Sequence, residues 1–360
     1  MGVVNKVVIR DQLVYIDHKY LGGEVKNVDV KYEDILKIDK EKEDTDIQEE
    51  EGNSDEKEYK WKHRNIVSVN QFSRDDLRQL FKRAGSLMQE RKCDALKGKT
   101  IAMFFKEPST RTECSFTGAI QRLGGSIIKI DCANSSLQKG ESVGDTVRCL
   151  EQYCDGIIVR GKNGIIEECK SSMNIINAGE GSGEHPTQAL LDLFTIREER
   201  GSITGATITI CGDLLNGRTV HSLVKLLCLY RIRQIYYIPA INVTHNVRLD
   251  LPSEIYEYVE SFGIKQEIIN SLEEVIEKTD VLYMTRIQKE RDIGGEDNEY
   301  IYEKITPYKI ANAKSSMIIM HPLPRNDEID VDMDGDPRAV YFRQMKYGMY
   351  VRMALLELLY

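Results

Sequence analysis

Short apolar runs alternate with longer helical patterns from about residue 62 to the end of the chain. Many residues of the short runs are β-branched, which is typical of strands. Regular alternation of strands and helices predicts parallel sheets that are covered by helices on both faces. The predicted strands are residues 100–105, 126–130, 156–159, 174–177, 207–211, 234–238, 281–284 and 317–320.

A long helical pattern at residues 186–200 separates the predicted strands into two groups of similar size. This order predicts an α/β protein with two doubly wound, parallel-sheet, Rossmann-like domains joined by helices, plus an N-terminal extension. Ligands bind such sheets at the carboxyl ends of the strands, so polar residues that follow strands are candidates for a functional site. The other predicted helices are residues 73–91, 111–123, 144–153, 217–230, 271–278 and 347–359.

The first candidate is Ser109, Thr110, Arg111 and Thr112, between a predicted strand and a predicted helix. Ser and Thr favour helix N-caps, and the first helical turn presents unpaired N–H groups and the positive end of the helix dipole. Arg111 adds a planar guanidinium suited to a phosphate or carboxylate. The segment alone is a weak signal, because most such caps only begin a helix.

Arginine, histidine or glutamine residues follow five further predicted strands. Any one of them could be a solvated loop residue. Several guanidinium groups at one edge, together with a helix N-terminus, predict a small substrate with several negative charges. These residues are Arg160, His185, Gln188, Arg218, Arg286, Gln288 and His321.

Charge is concentrated in one segment of the 360-residue chain. Residues 41–57 carry nine acids and two lysines, a net charge of −7, which leaves −2 of the total of −9 for the remainder. A segment so poor in apolar side chains predicts a disordered linker, which we place at residues 39–61. Residues 1–38 contain β-prone runs that could pair as a small ribbon. No basic stripe or aromatic platform favours binding to nucleic acid.

Two further features argue against a membrane protein and against a secreted protein. No apolar run is long enough to predict a membrane span, and the N-terminus lacks the pattern of a signal peptide. Eight cysteines are scattered without a C-x-x-C pair, which favours reduced thiols and a cytoplasmic protein.

From about residue 65 to residue 359, six motifs in order resemble the carbamoyltransferase family. Residues 109–112 look like its carbamoyl-phosphate loop, and residues 136–142 resemble its lysine loop. The other matching motifs are residues 177–192, 212–222, 285–291 and 321–325. Six motifs in order are far more specific than any one of them.

The resemblance implies transfer of a carbamoyl group from carbamoyl phosphate to the α-amino group of an amino acid, without a metal or an organic cofactor. Arg111, Thr112, His185 and Lys139 are the implied catalytic residues. The implied carbamoyl phosphate ligands are Ser109, Thr110, Arg111, Thr112, Ser136 (or Ser135), Lys139, Arg160, His185, Gln188, Pro322 and Leu323. Those implied for the amino acid are Lys139, Arg218, Arg286 and Gln288.

Three positions bear on which amino acid is the acceptor. Members that use ornithine typically carry lysine or cysteine where this chain has Glu107, Thr187 and Pro322. The resemblance therefore implies L-aspartate as acceptor and N-carbamoyl-L-aspartate as product, an early step of pyrimidine biosynthesis. A different acceptor such as ornithine, or an inactive homologue that serves as a scaffold, are the alternatives.

The family pattern also implies an assembly and domain limits. In the family the lysine loop reaches the site of a neighbouring subunit, so a homotrimer is implied. A carbamoyl-phosphate-binding domain is expected at residues 62–187 and 345–360, and an aspartate-binding domain at residues 188–344. Residues 1–61 have no counterpart in the minimal enzyme, and their role is left open.

Overall fold

The computed structural model of the protein describes residues 6–10, 13–17, 61–62, 64–90, 92–289 and 298–360. Strands β1 (Lys6–Arg10) and β2 (Leu13–Asp17) form an antiparallel ribbon, as the β-prone N-terminal runs predict. The predicted acidic linker lies outside the described residues apart from Trp61. The indole of Trp61 is buried and its Nε1 donates to Gln79 Oε1 at 2.9 Å.

Two parallel sheets form the body of the protein, which confirms the predicted fold class. The first has four strands in the order β4-β3-β5-β6, and the second has five in the order β11-β8-β7-β12-β14. A small antiparallel sheet (β10-β9-β13) lies beside them. The strands are β3 (Thr100–Phe105), β4 (Ser126–Ile130), β5 (Gly156–Gly161), β6 (Asn174–Glu180), β7 (Thr207–Gly212), β8 (Gln234–Pro239), β9 (Ile241–Asn242), β10 (Val247–Arg248), β11 (Gln266–Ile268), β12 (Val281–Met284), β13 (Tyr300–Ile301) and β14 (Ile318–Met320).

The helices follow the predicted alternation with a few differences. The helix predicted at residues 271–278 is wrong, because only Leu272–Glu274 forms a 3-10 turn, capped by Ser271, before Val275 leaves helical geometry. Helices Ile165–Glu168 and Ser253–Ser261 and the short strands β9, β10, β11 and β13 had not been predicted. The helices are α1 (Arg74–Gln89), α2 (Thr110–Arg122), α3 (Val143–Leu150), α4 (Ile165–Glu168), α5 (Pro186–Arg200), α6 (Arg218–Leu227), α7 (Ser253–Ser261) and α8 (Tyr341–Leu359).

Helices α5 and α8 connect the two sheets. Helix α5 is buried along most of its length, and α8 packs against α1, α2 and α5. Phe194 on α5 contacts Phe81 on α1 and Tyr347 on α8, with ring centroids 5.5 and 5.9 Å apart. One hydrophobic cluster therefore runs from the first sheet through these helices into the second. No helix in the described ranges is both long and apolar enough to cross a membrane.

The strand order places a switch point in each sheet. In the first sheet the chain runs outward in opposite directions from β3 and β5, and in the second from β7 and β12. The loops that follow two such neighbouring strands turn to opposite faces of the sheet and leave a crevice between them. The strand order therefore predicts ligand sites after β3 and β5 and after β7 and β12.

Candidate active site

A cleft of about 500 Å³ lies between the carboxyl ends of the two sheets. Its walls include residues at or after the carboxyl ends of all four strands at the two switch points. Twelve of the residues singled out in the sequence line it: Ser109, Arg111, Thr112, Arg160, His185, Gln188, Arg218, Arg286, Gln288, His321, Pro322 and Leu323. The structure therefore brings together positions that are more than 200 residues apart in the chain.

Three of the predicted residues do not line the cleft of the single chain. Thr110 is exposed on the first turn of α2. Ser136 and Lys139 are exposed on the 3-10 helix Ser136–Lys139, which ends at Gly140 in the left-handed conformation. The alternative loop serine, Ser135, instead donates to the carbonyl of Cys132 at 3.3 Å.

The start of α2 forms one wall of the cleft. Ser109 is the N-cap residue, yet its hydroxyl makes no capping hydrogen bond to the helix, and it lines the cleft. An uncapped helical N-terminus leaves donors for an anion, and the helix dipole favours negative charge there. Arg111 adds a guanidinium whose pKa is lowered by partial burial and by repulsion from Arg286. Both arginines line the same cleft.

Arg160 and Arg218 approach the cleft from different sheets and meet at Gly179. Arg160 Nη1 donates to the Ala178 carbonyl at 3.0 Å, and Arg218 Nη1 donates to the Gly181 carbonyl at 2.6 Å. Gly179 has φ +118°, and a Cβ there would lie 2.7 Å from Arg160 Nη1 and 3.1 Å from Arg218 Nη2. Only glycine accommodates both this backbone conformation and the two guanidinium groups.

The second wall is built on loops that follow β7 and β12. Gln288 is held at both ends, since its backbone N–H donates to Asp213 Oδ2 at 3.1 Å and its Nε2 donates to the Asn216 carbonyl at 2.6 Å. Arg218 Nη1 lies 4.0 Å from Glu107 Oε2, a residue that follows β3. The Glu107–Arg218 pair thus bridges the two walls.

His185 lies between the arginines as the N-cap residue of α5. Its backbone N–H donates to Ser222 Oγ at 3.0 Å, which ties the loop to α6. Burial, reinforced by repulsion from Arg218, Arg160 and Arg352, lowers the pKa of His185 well below its usual value. The ring is therefore neutral at pH 7, and its buried Nδ1 has no hydrogen-bond partner among the described residues. A neutral imidazole can donate one hydrogen bond to a substrate without serving as an acid.

Residues 321–324 close one side of the cleft. His321 is buried, and its Nε2 hydrogen-bonds Glu328 Oε1 at 2.7 Å while its Nδ1 accepts from the Leu323 N–H at 2.7 Å. Leu323 adopts φ +56°, which is costly for a residue with a branched side chain. The His321 ring thus holds a strained backbone turn at the edge of the cleft.

Arg352 on α8 is a cleft residue that the sequence reading had missed. It is buried, and Nη1 donates to Ser115 Oγ at 2.7 Å while the guanidinium lies 5.0 Å from the centre of the Phe116 ring. Burial lowers its pKa to about 10, so the side chain is still charged at pH 7. A lone arginine inside the apolar face of the last predicted helix was the signal that could have found it.

Doubly wound sheets with a cationic cleft across both switch points define a two-domain α/β protein whose cleft suits small, multiply charged anions. Two family models match the chain: the carbamoyl-P binding domain of aspartate/ornithine carbamoyltransferase over residues 64–198, and the Asp/Orn binding domain over residues 204–359. The chain belongs to the aspartate/ornithine carbamoyltransferase family.

Three similar proteins illustrate the relationship. Multifunctional protein pyr1-3 of Dictyostelium discoideum is 47% identical over 312 residues, which are 82% of this chain but 13% of that protein. The aspartate carbamoyltransferase catalytic subunit of Chromobacterium violaceum is 42% identical over 300 residues, covering 82% of this chain and 97% of the relative. Aspartate transcarbamoylase of Trypanosoma cruzi, solved in complex with carbamoyl phosphate and aspartate, has a TM-score of 0.76 and 38% identity, with 83% and 98% of the two chains covered.

Proposed function

We propose that this chain transfers the carbamoyl group of carbamoyl phosphate to the α-amino group of L-aspartate, an early step of pyrimidine biosynthesis. The observation that carries the proposal is the single cleft in which an uncapped helix N-terminus faces Arg218 and Arg286. A phosphate dianion fits the first of these features, and an amino acid with two carboxylates fits the second. The Trypanosoma cruzi relative binds both compounds.

The first wall, at the start of α2, would bind carbamoyl phosphate and stabilise the leaving group, and we call it the phosphate wall. Ser109, Thr110, Arg111 and Thr112 supply donors at the start of α2, and Arg160 adds a second guanidinium. As the amine attacks, the carbonyl oxygen becomes an oxyanion, to which Arg111, Thr112 and neutral His185 donate. Losing one such donor typically costs about 3 kcal/mol of transition-state stabilisation. The departing phosphate can accept the proton of the amine, so no protein base is required.

The second wall, on the loops that follow β7 and β12, would hold aspartate, and we call it the amino-acid wall. Arg218 binds the α-carboxylate, and Arg286 with Gln288 binds the side-chain carboxylate. Two separated guanidinium groups orient the amine toward the carbonyl carbon, since each can bind a carboxylate through two hydrogen bonds. Gln188 and the carbonyls of Pro322 and Leu323 hold the carbamoyl amide.

The acceptor is tested with the purified 360-residue chain, carbamoyl phosphate and either L-aspartate or L-ornithine. Formation of N-carbamoyl-L-aspartate, dependent on both substrates, is the expected result. If citrulline forms from ornithine with a higher kcat/KM than carbamoyl aspartate forms from aspartate, ornithine is the acceptor and the assignment of aspartate is wrong. Absence of product with both amino acids, together with measurable binding of carbamoyl phosphate, would favour the inactive scaffold.

We further propose that the enzyme is a homotrimer whose sites are completed by Ser136 and Lys139 from an adjacent subunit. These two residues are exposed and lie outside the cleft of their own chain. Mixing inactive Arg111→Ala and Lys139→Ala chains should restore part of the activity, because some shared sites then contain neither substitution. Full activity of a monomer in sedimentation at the assay concentration would contradict this assembly.

The domain limits belong to the same proposal: residues 62–187 with 345–360 for carbamoyl phosphate, and residues 188–344 for aspartate. The return of the C-terminus to the first half is supported by the packing of α8 against α1 and α2. We also propose a cytoplasmic location, which is supported by the free state of all eight cysteines.

A further inference from the structure

Asp192 on α5 is a buried carboxylate outside the cleft lining that none of the proposed steps uses. It has no exposed surface and accepts hydrogen bonds from three neutral side chains. Gln188 Nε2 donates to Oδ1 at 2.8 Å, Gln344 Nε2 donates to the same oxygen at 2.6 Å, and Tyr283 Oη donates to Oδ2 at 2.9 Å. Helix α5, helix α8 and strand β12 therefore meet at one carboxylate.

The carboxylate determines which way two amide groups face. An ionised carboxylate only accepts hydrogen bonds, so both glutamines must turn their NH₂ groups toward Asp192. Gln344 then has its oxygen free, and that oxygen accepts from the His321 N–H at 3.0 Å. Gln188 lines the cleft, so its amide oxygen is the atom left to meet a ligand.

We propose that Asp192 is a positioning residue that turns the Gln188 amide oxygen to the carbamoyl subsite and so makes the enzyme select an NH₂ group over a methyl group. The inference rests on the proposed function, because Gln188 is expected to contact the carbamoyl amide. A subsite that presents acceptors pairs with the NH₂ of carbamoyl phosphate. The methyl group of acetyl phosphate would leave those acceptors unpaired, which is a large source of discrimination in a buried site.

The same arrangement tolerates a proton on Asp192. Burial raises the pKa of this carboxyl to about 7, although the hydrogen bonds from Gln344, Tyr283 and Gln188 oppose the shift. A proton on Oδ2 would face Tyr283 Oη, which can accept it, and Oδ1 would still accept from both amides. An Asn with its oxygen in the Oδ1 position reproduces this protonated state.

The test compares Asp192→Leu, Asp192→Ala and Asp192→Asn with the wild-type enzyme. The quantity measured is the ratio of the inhibition constant of acetyl phosphate to the KM of carbamoyl phosphate, in the assay of carbamoyl-aspartate formation. Removal of the acceptor lets the Gln188 amide rotate, so the ratio should fall about tenfold or more in the Leu variant. The ratio should fall by less in the Ala variant, because water can enter the space left by the carboxylate. The Asn variant should keep the wild-type ratio.

Thr195→Val is the matched control for a change in stability alone. Thr195 is buried one turn further along α5, and its hydroxyl donates to the Leu191 carbonyl at 2.7 Å, away from the cleft. This variant should lower the melting temperature and leave the selectivity ratio unchanged.

Two results would overturn the inference. An acceptor-free variant that unfolds cooperatively yet keeps the wild-type ratio would show that Asp192 does not orient Gln188. The Asp192→Asn variant keeps the shape of the side chain. A fall of the selectivity ratio in this variant would also overturn the inference, even if the Leu and Ala variants fail to fold. A wild-type enzyme that forms no carbamoyl aspartate would instead refute the proposed function.

Discussion

The two walls of the cleft differ in which parts of the chain supply their positive groups. The phosphate wall is largely local, because its residues Ser109, Arg111 and Thr112 lie together at the start of α2. The amino-acid wall consists of side chains from distant segments, with Arg218 at the start of α6 and Arg286 and Gln288 after β12. One wall is formed by a helix terminus, whereas the other depends on the folding of the whole second sheet.

This difference has consequences for substitution. Backbone amides cannot be removed by mutation, so a variant of the phosphate wall loses one guanidinium but keeps the anion site. A variant of the amino-acid wall loses a ligand for which the backbone offers no substitute. The first wall should therefore control chemistry through charge stabilisation, and the second should control binding and orientation of the acceptor.

The largest expected effect is that of Arg111→Ala. In the proposed mechanism Arg111 donates to both the oxyanion and the leaving phosphate, so kcat should fall about a thousandfold. The KM of carbamoyl phosphate should change much less, since the helix terminus remains. Steady-state kinetics check this, with Arg122→Ala at the exposed far end of the same helix as control. A loss confined to KM would show that the first wall only binds.

Arg286→Ala should separate the second wall from the first. We expect the KM of aspartate to rise about a hundredfold, and kcat to fall about tenfold because the amine is no longer oriented. Arg286→Lys should recover little, because an ammonium cannot form the paired hydrogen bonds of a guanidinium. Carbamoyl phosphate binding, followed by calorimetry, should stay near the wild-type value. An unchanged KM for aspartate would refute the assignment.

Gly179→Ala should affect both walls at once. The added Cβ would meet Arg160 on one side and Arg218 on the other, and φ +118° is itself strained for alanine. Both substrates should bind less tightly, and kcat/KM for each should fall about tenfold, as expected for a small misplacement of binding groups.

Gly201→Ala is the matched control for this variant. Gly201 also has a positive φ, +79°, but a Cβ there meets no atom within 4 Å. It should cost stability without a change in either KM. If Gly179→Ala weakens the binding of one substrate alone, the two arginines do not share this contact.

The contrast between the walls also explains what could be read from the sequence. Residues 109–112 form a contiguous motif, so local chemistry identified them as a candidate anion site, although the segment alone was a weak signal. Strand ends carrying Arg160, Arg218 and Arg286 pointed to one edge because parallel strands end on the same side. The fold class followed from the regular alternation of apolar strands and amphipathic helices.

Long-range contacts could not be read in this way. Arg352 lies in a helix whose pattern signalled only burial, and its partners Ser115 and Thr187 come from distant segments. Asp192 was visible as part of a motif, but its three hydrogen-bond donors lie four to 152 residues away. The strand β11 was missed because two of its three residues, Gln266 and Glu267, are polar and it lies at the edge of its sheet.

The smallest expected effect concerns His185, which lies where the two walls meet. Its pKa is lowered in the folded protein, so below pH 6.5 the unfolded chain binds a proton that the folded chain does not. Stability therefore falls as the pH drops through the unfolded value. Relative to His185→Asn, the wild type should lose about 1.4 kcal/mol of unfolding free energy between pH 7.5 and 5.5.

Urea unfolding of the two proteins at both pH values checks this. The comparison with the variant is essential, because the raised pKa of Asp192 makes the folded protein more stable as the pH falls over the same range. His245→Asn, at an exposed position outside the cleft, is the control for replacing a histidine by asparagine. A His185→Asn protein that follows the wild type at every pH would mean that His185 binds a proton as readily in the folded enzyme as in the unfolded chain, and the ring could then act as an acid toward the leaving phosphate instead of only polarising the carbonyl.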